Sequence, residues 1–490
     1  LIAVTGVKRQ FARSSAWYLF GQGTSNLASF IIFAVLARLL GPADFGLVAF
    51  AAIFVELTRS LAMAGLPTAL IRQKSWNEEA ASTAFWGNLG FSAILALLLS
   101  GGSIFFDDGS YQNFPLVISC LSATLIVDAM RATQEAKLER EFGFRMLAIR
   151  TALATIGAGI LGVALAFAGF GIWALVSSRI ANSVFQTLLV WRAVPWVPKF
   201  AFNRRLFGEM LGFGIHIGAA QLFGQVARRV PALVGGLFIG PAAVAFFQVA
   251  FRIVGIIGEV IVAPMQRTAI AALSRLADSE AQVYAYRRVT RLVSLLAFPA
   301  YFGTAVLSKD LILLMFGESW LPSGQVLGVL ALFGGAASVS YFTHPLLAVL
   351  GKAKTASLRS LSSLIGMSLV CLIAAQFGIV ALASAFTLFA YVSIVPTLFI
   401  LKSVAGISPM QVLKDIVPSF FAATFMCLVL YLVQIFALPD STSLMRVIIL
   451  VPLGVGVYGV LVFFMFPRFV RDVWIDIEPL VRPVIKRARS

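Results

Sequence analysis

Charge is what this 490-residue sequence has least of: only 12% of its residues are Asp, Glu, Lys or Arg, against 60% hydrophobic. A soluble chain of that length needs roughly a quarter of its residues charged to cover its surface, so most of this one must meet lipid. Cysteine is scarce too. Cys120, Cys371 and Cys427 are far apart, each inside an apolar run. That spacing excludes a disulfide framework or a zinc knuckle and leaves them as small core residues. The two histidines, His216 and His344, are single residues in apolar stretches and read as helix-packing groups.

No G-x-x-x-x-G-K-[S/T] loop is present, which excludes a built-in ATPase of that type; the one Gly-Lys pair, Gly351-Lys352, lacks the upstream glycine. There is no H-E-x-x-H, nucleophile elbow or cysteine–histidine cluster. The longest outer connection, around 308–321, is short for a catalytic loop. No cofactor or metal is expected, and an enzyme is not.

What the sequence does have is apolar runs of about 20 residues along its whole length, each long enough to cross a ~30 Å hydrocarbon layer. The expectation is an all-α polytopic membrane protein with about fourteen transmembrane helices. The first run is too long for a signal peptide and is read as the first span. It is preceded by a basic segment (Lys8, Arg9, Arg13) and an aromatic pair at headgroup level, Trp17 and Tyr18.

Two motifs recur in order. Gly41-Pro42-Ala43 returns as Gly240-Pro241-Ala242, and Phe170-Gly171-Ile172-Trp173-Ala174-Leu175 returns as Phe377-Gly378-Ile379-Val380-Ala381-Leu382. Each interrupts an apolar run, so Gly41, Pro42, Gly171, Gly240, Pro241 and Gly378 mark tight turns in two copies of one unit. The organisation expected is a first lobe at 1–192 (helices 1–6), a proline-rich basic linker at 193–205, and a second lobe at 206–402 (helices 7–12). Two further helices at 403–466 and an amphipathic tail at 467–490 follow. Alternating the ends of the spans puts 29 of the 38 Lys and Arg on one side and only Arg38, Lys309 and Arg446 on the other. By the positive-inside rule both termini are cytoplasmic. The net charge of +17 then reflects topology and anionic-lipid contact, with no call for nucleic acid.

The residues that stand out are charges inside the spans: Arg59, Arg131, Arg179, Arg228, Arg229 and Arg252, with Glu56, Asp128, Glu135 and Glu259. An ionised group at bilayer depth costs a few kcal/mol, so it faces a cavity or a partner. Arg252, ten residues past the second Gly-Pro turn, is about 15 Å deep, and Arg179 and Arg229 lie at comparable or slightly shallower depth. Glu56/Arg59 and Asp128/Arg131 are spaced i,i+3, and Glu259 is two turns from Arg252; these acids are read either as structural partners or as ion-coupling groups. Arg179, Arg228 and Arg229 have no acid nearby in sequence, and Pro231 is expected to break or kink their helix. A cavity with surplus arginines suits a polyanion, because guanidinium binds phosphate oxygens bidentately.

With those residues placed, Ala37-Arg38-Leu39-Leu40-Gly41-Pro42-Ala43-Asp44-Phe45-Gly46 resembles the helix 1–2 turn of bacterial polysaccharide transporters. These are the O-antigen and exopolysaccharide flippases of the multidrug/oligosaccharidyl-lipid/polysaccharide exporter superfamily. Phe170–Leu175 looks like their helix 5–6 turn, and Glu139-Arg140-Glu141-Phe142-Gly143-Phe144-Arg145 like their helix 4–5 connection. The resemblance implies two six-helix lobes forming a V around a central cavity lined by helices 1, 2, 7 and 8. It implies flipping of an undecaprenyl-pyrophosphate-linked oligosaccharide across the cytoplasmic (inner) membrane, beside a polysaccharide polymerase or co-polymerase. On that analogy Arg59, Arg228, Arg229 and Arg252 line the cavity, while Arg131 and Arg179 brace the lobe or join the site. Helix 1 offers Gln22 and Asn26 where precursor flippases are often charged, which weighs against a peptidoglycan-precursor cargo. A multidrug cation antiporter of the same fold and a non-transporting polymerase or ligase partner remain the alternatives.

Overall fold

A computed structural model describes residues 25–63, 65–72, 76–106, 113–141, 143–266, 279–350 and 352–475. The basic N-terminal segment, Trp17, Tyr18, Gln22 and the end of the tail lie outside them. Among the described residues every regular element is helical. Within them eleven helices are long and apolar enough to cross a membrane, and the chain is a multi-pass membrane protein.

The chain divides into two compact units, Leu1–Ala245 and Phe246–Ser490. In the first, α1 (Ser25–Leu39) is followed by α2 (Pro42–Met63), α3 (Leu66–Arg72), α4 (Glu78–Gly102), α5 (Phe114–Arg140), α6 (Phe144–Phe167), α7 (Ile172–Ala193) and α8 (Arg204–Phe238). Helix α9 (Pro241–Ile257) crosses the boundary and continues through a π-helical turn at Gly258–Val262. The second unit adds α10 (Ser279–Val306), α11 (Ser308–Phe316), α12 (Leu321–Ser340), α13 (Thr343–Val349), α14 (Ala353–Ala375), α15 (Ile379–Val392), α16 (Ile394–Ala405), α17 (Pro409–Phe436) and α18 (Ser443–Met465). A last helix, α19, spans 467–475.

Three of the fourteen expected spans are not among the eleven. α1 is the described part of the first and is short. α7 and α8 sit where the sixth and seventh were expected, but carry Arg179, Asn182 and Gln186, and Gln225, Arg228 and Arg229. Their polarity lowers their hydropathy, and in α7 it has a use described below.

The recurrent motifs are turns. Pro42 and Pro241 are the first residues of α2 and α9, where the missing N–H of proline costs nothing. Gly171 (φ 52°), Gly240 (φ 124°) and Gly378 (φ 95°) occupy the left-handed region that a side chain resists. The two Gly-Pro copies also meet in the first unit. A Cβ on Gly46 would fall 1.9 Å from the Pro241 carbonyl oxygen, and one on Gly236 would fall 2.3 Å from the Phe50 ring. Small residues let backbones approach where lipid supplies no hydrophobic drive between helices.

Some expectations are corrected. Pro231 does not break its helix; α8 runs through it. The irregularity comes one helix later, in the π turn that holds Glu259. Span 2 bends at Gly65, before Pro67 at the start of α3, span 10 is interrupted at 341–342, and span 12 at Ser393. The 308–321 connection is filled by α11 and a short 3-10 turn, with Trp320 and Phe316 buried.

The basic segment between α7 and α8 is an extended strap docked on α4. Trp196 donates to Glu78 (2.7 Å), the Lys199 carbonyl accepts from Trp86 (2.8 Å), and the Lys199 N–H donates to Ser82 (3.1 Å). Asn203 reaches Thr83 through its backbone (3.1 Å) and Glu79 through its amide (2.9 Å). Trp86 stacks on Phe200, and Phe85 packs between Trp191 and Trp196. At the other end of the chain, α19 buries Phe469 and Val473 while Trp474 stays exposed.

Candidate functional site

Three helices of the first unit carry polar residues in stripes. On α2 these are Glu56 and Arg59; on α5, Thr124, Asp128, Arg131 and Glu135; on α7, Arg179, Asn182, Ser183 and Gln186. Spacings of three, four and seven residues align each stripe on one helix face. Because charge facing lipid is costly, the three faces turn toward one another. Close packing of α6 on α7, where a Cβ on Gly162 would touch Ser178 at 2.7 Å, closes the back of the site.

The stripes enclose a cavity of about 340 Å³ bordered by Glu56, Arg59, Asp128, Arg131, Arg179 and the amides of Asn182 and Gln186. Asp128 is the inner anchor, its side chain 2% exposed. It makes an ion contact with Arg59 (Nε to Oδ2, 2.7 Å), accepts from Arg131 Nε (3.0 Å) and from the Ser183 hydroxyl (2.6 Å). Arg131 also donates to Glu135 (2.7 Å) and Gln186 (2.6 Å). Behind it, Glu135 is ion-paired to the buried Arg150. Glu56 is the outer anchor. It pairs with Arg229 from α8 and with Arg179 from α7 (3.4 Å).

Three arginines therefore border the cavity against two carboxylates, with Arg229 joined through Glu56. Their donors are not used up. Arg59 is 36% exposed and spends Nε on Asp128 and Nη2 on Thr124 (3.2 Å). Its Nη1 has no acceptor among the described residues. Arg179 is 44% exposed and makes one contact, through Nη1. The cavity thus offers guanidinium edges held in place by carboxylates yet open on one side, with amide and hydroxyl groups around them. That arrangement suits a phosphate-bearing ligand with hydroxyls to bond.

The sequence-predicted residues sort by location. Glu56, Arg59, Asp128, Arg131 and Arg179 come together, and Arg229 touches the group. The intrahelical Glu56–Arg59 bridge is replaced by pairing across helices: Arg59 goes to Asp128, and Glu56 goes to Arg179 and Arg229. Arg131 and Arg179 border the cavity itself. Arg228 is exposed and has no carboxylate partner among the described residues. Arg252 and Glu259 belong to the second unit, on α9 and its π turn. The cavity lies inside the first unit, among α1, α2, α5, α6 and α7.

Sequence reasoning missed Arg150 and the uncharged members Thr124, Asn182, Ser183 and Gln186. The last three share Arg179's helical face, and that spacing was the available signal.

The family described as Polysaccharide biosynthesis protein matches residues 35–325. The chain is similar to the succinoglycan biosynthesis transport protein ExoT of Rhizobium meliloti (strain 1021), 23% identical over 329 residues, covering 66% of each chain. It is similar to the teichuronic acid biosynthesis protein TuaB of Bacillus subtilis (strain 168), 24% identical over 276 residues, 55% of this chain and 57% of that one. The matches thus span less than two thirds of either relative. Among solved structures, the lipid II flippase MurJ in an inward closed conformation superposes with a TM-score of 0.74 at 15% identity, covering 92% of this chain and 99% of that one. At that identity the likeness is one of fold.

Proposed function

We propose that this chain, which belongs to the polysaccharide biosynthesis protein family, flips an undecaprenyl-pyrophosphate-linked oligosaccharide repeat unit across the cytoplasmic membrane. The observation that carries the reading is the pair of open guanidinium edges, Arg59 and Arg179, on a polar cavity inside a multi-pass helical protein. Pyrophosphate oxygens take those edges, and Asn182 and Gln186 bond sugar hydroxyls. The carboxylates keep the guanidiniums placed and prevent the site from holding its anion too tightly. Arriving phosphate competes with Glu56 for Arg179; departing phosphate gives the arginine back.

Two six-helix repeats, with lobes at 1–192 and 206–402, work by alternating access, with the extra helices at 403–466 and both termini cytoplasmic. The charge asymmetry across the connections supports that orientation. Membrane potential or proton uptake by Glu56 or Asp128 resets the cycle. A surplus of arginine opposes a cationic drug as cargo.

The test is complementation of a deletion strain with Arg59→Ala/Arg179→Ala. Polymer export should be lost while the protein stays in the membrane at its usual amount. Full export from the double variant would refute the site. Drug sensitivity of the deletion strain with normal export would refute the cargo, and sugar transfer by the purified protein would move it to another class.

A further inference from the structure

The second unit holds a guanidinium, that of Arg359, with no countercharge among the described residues. Arg359 lies six residues into α14, about 9 Å from the helix start at 1.5 Å per residue. Its Nε donates to the Thr397 hydroxyl (3.0 Å), and its Nη2 reaches that hydroxyl and the Ser393 carbonyl (3.3 Å), where α15 gives way to α16. Among the described residues the Nη1 amino group has no acceptor and no carboxylate pairs with the side chain. One edge of the fork is braced; the other is open.

Arg359 borders a groove of about 630 Å³, within the size range of small-molecule sites. Ser362 and Ser363 lie along one wall, and Phe389, Val392, Pro396 and Ile400 along the other. Val392 is largely exposed, so the apolar wall is open sideways, where the bilayer lies. Helix α14 begins, and α16 ends, at the same end of this pair, and exposed lysines stand there: Lys352 at the start of α14 and Lys402 in the last turn of α16. No acid borders the groove. Basic groups at membrane edges draw anionic headgroups.

We propose that this groove is a lateral binding site for one anionic phospholipid of the surrounding bilayer. Its phosphate oxygens take the open Nη1 edge of Arg359 and the Ser363 hydroxyl, the Ser362 hydroxyl being already donated to the Arg359 carbonyl (2.9 Å), and an acyl chain lies along Phe389, Val392, Pro396 and Ile400. The bound lipid supplies the countercharge the protein omits and steadies the break at Ser393. A zwitterionic choline lipid is disfavoured, because its ammonium would sit beside Lys352 and Lys402. The pyrophosphate-linked cargo is disfavoured as well: a single guanidinium faces two phosphates, and no side-chain amide is there to receive a sugar. The inference rests on the membrane reading alone and is independent of the cargo.

The test uses the purified full chain, stripped of lipid in detergent, with native mass spectrometry and thermal unfolding after addition of phosphatidylglycerol, phosphatidylcholine or undecaprenyl phosphate. Phosphatidylglycerol should bind about tenfold tighter than phosphatidylcholine and raise the unfolding temperature. Arg359→Gln should bring it down to the phosphatidylcholine level, and Arg359→Lys should keep part of the preference. Val392→Trp fills the groove without touching the braced edge and should cause the same loss, so it decides the matter if Arg359→Gln does not fold. Unchanged phosphatidylglycerol binding in Val392→Trp, or in a folded Arg359→Gln, overturns the site. Undecaprenyl phosphate displacing phosphatidylglycerol at equal concentration overturns the choice of occupant.

Discussion

The two units each gather arginines on a buried aspartate, and they do so to opposite effect. In the second unit Asp415 of α17 is 4% exposed and receives both Arg287 (Nε 2.8 Å, Nη2 3.2 Å) and Arg291 (Nε 3.1 Å, Nη2 2.9 Å) from α10. Arg291 also lies 3.7 Å from Asp472 of α19, and Ser294 donates to the Asp415 backbone carbonyl (3.2 Å). That aspartate is saturated by two arginines one turn apart, and the cluster fastens α17 and α19 onto α10. In the first unit Asp128 is as deeply buried, but the outer members of its cluster, Arg59 and Arg179, keep unused donors facing a cavity. What separates the clasp from the proposed binding site is therefore the number of donors left over; burial of the acid is the same in both.

Removing the acids should expose that difference most sharply. Asp415→Ala strips two partly buried guanidiniums of their shared carboxylate, leaving Arg291 the more distant Asp472, and should cost about 3 kcal/mol of stability, seen as loss of folded protein or a steep fall in unfolding temperature. If it unfolds like the unaltered chain, the clasp is not one. Next in size, Arg59→Ala/Arg179→Ala should lower polysaccharide export at least about tenfold with little change in unfolding temperature, since both side chains are partly exposed. A stability loss matching that of Asp415→Ala would erase the distinction. Glu56→Gln frees Arg179 and Arg229 from their shared partner. It should tighten binding of a soluble pyrophosphate-sugar analogue several-fold while slowing export about as much; looser binding would show that Glu56 serves only to position. Arg228→Ala is the reference. Exposed and without a carboxylate partner among the described residues, it should stay within about 0.5 kcal/mol in stability and about twofold in export.

The features legible in the sequence were local ones. A proline that opens a helix and a glycine at positive φ leave their mark within three residues, so the Gly-Pro and Phe-Gly-Ile turns were readable, as was the Asp128–Arg131 pair on a single face. Pairing between helices was not. A helix that is apolar all round carries little information about which way it is rotated in lipid, and Glu56 was matched to its neighbour Arg59 when its partners are Arg179 and Arg229. The uncharged half of the cavity was overlooked because depth was argued from charge alone. Proline position was readable in part: Pro231 rides inside α8, whereas the interruptions at 341–342 and Ser393 fall three to four residues before Pro345 and Pro396, in the turn that a proline ring disrupts.

The strap between α7 and α8 looks in sequence like slack, yet Trp196, Lys199 and Asn203 are each tied to α4. A tether fixed along its length passes displacement on instead of absorbing it. Any bending of the polypeptide as it leaves this stretch is thus displaced beyond Asn203, into the opening turns of the next helix. Glycine–serine residues inserted into the strap would have to peel the tryptophan from its seat before they lent any play.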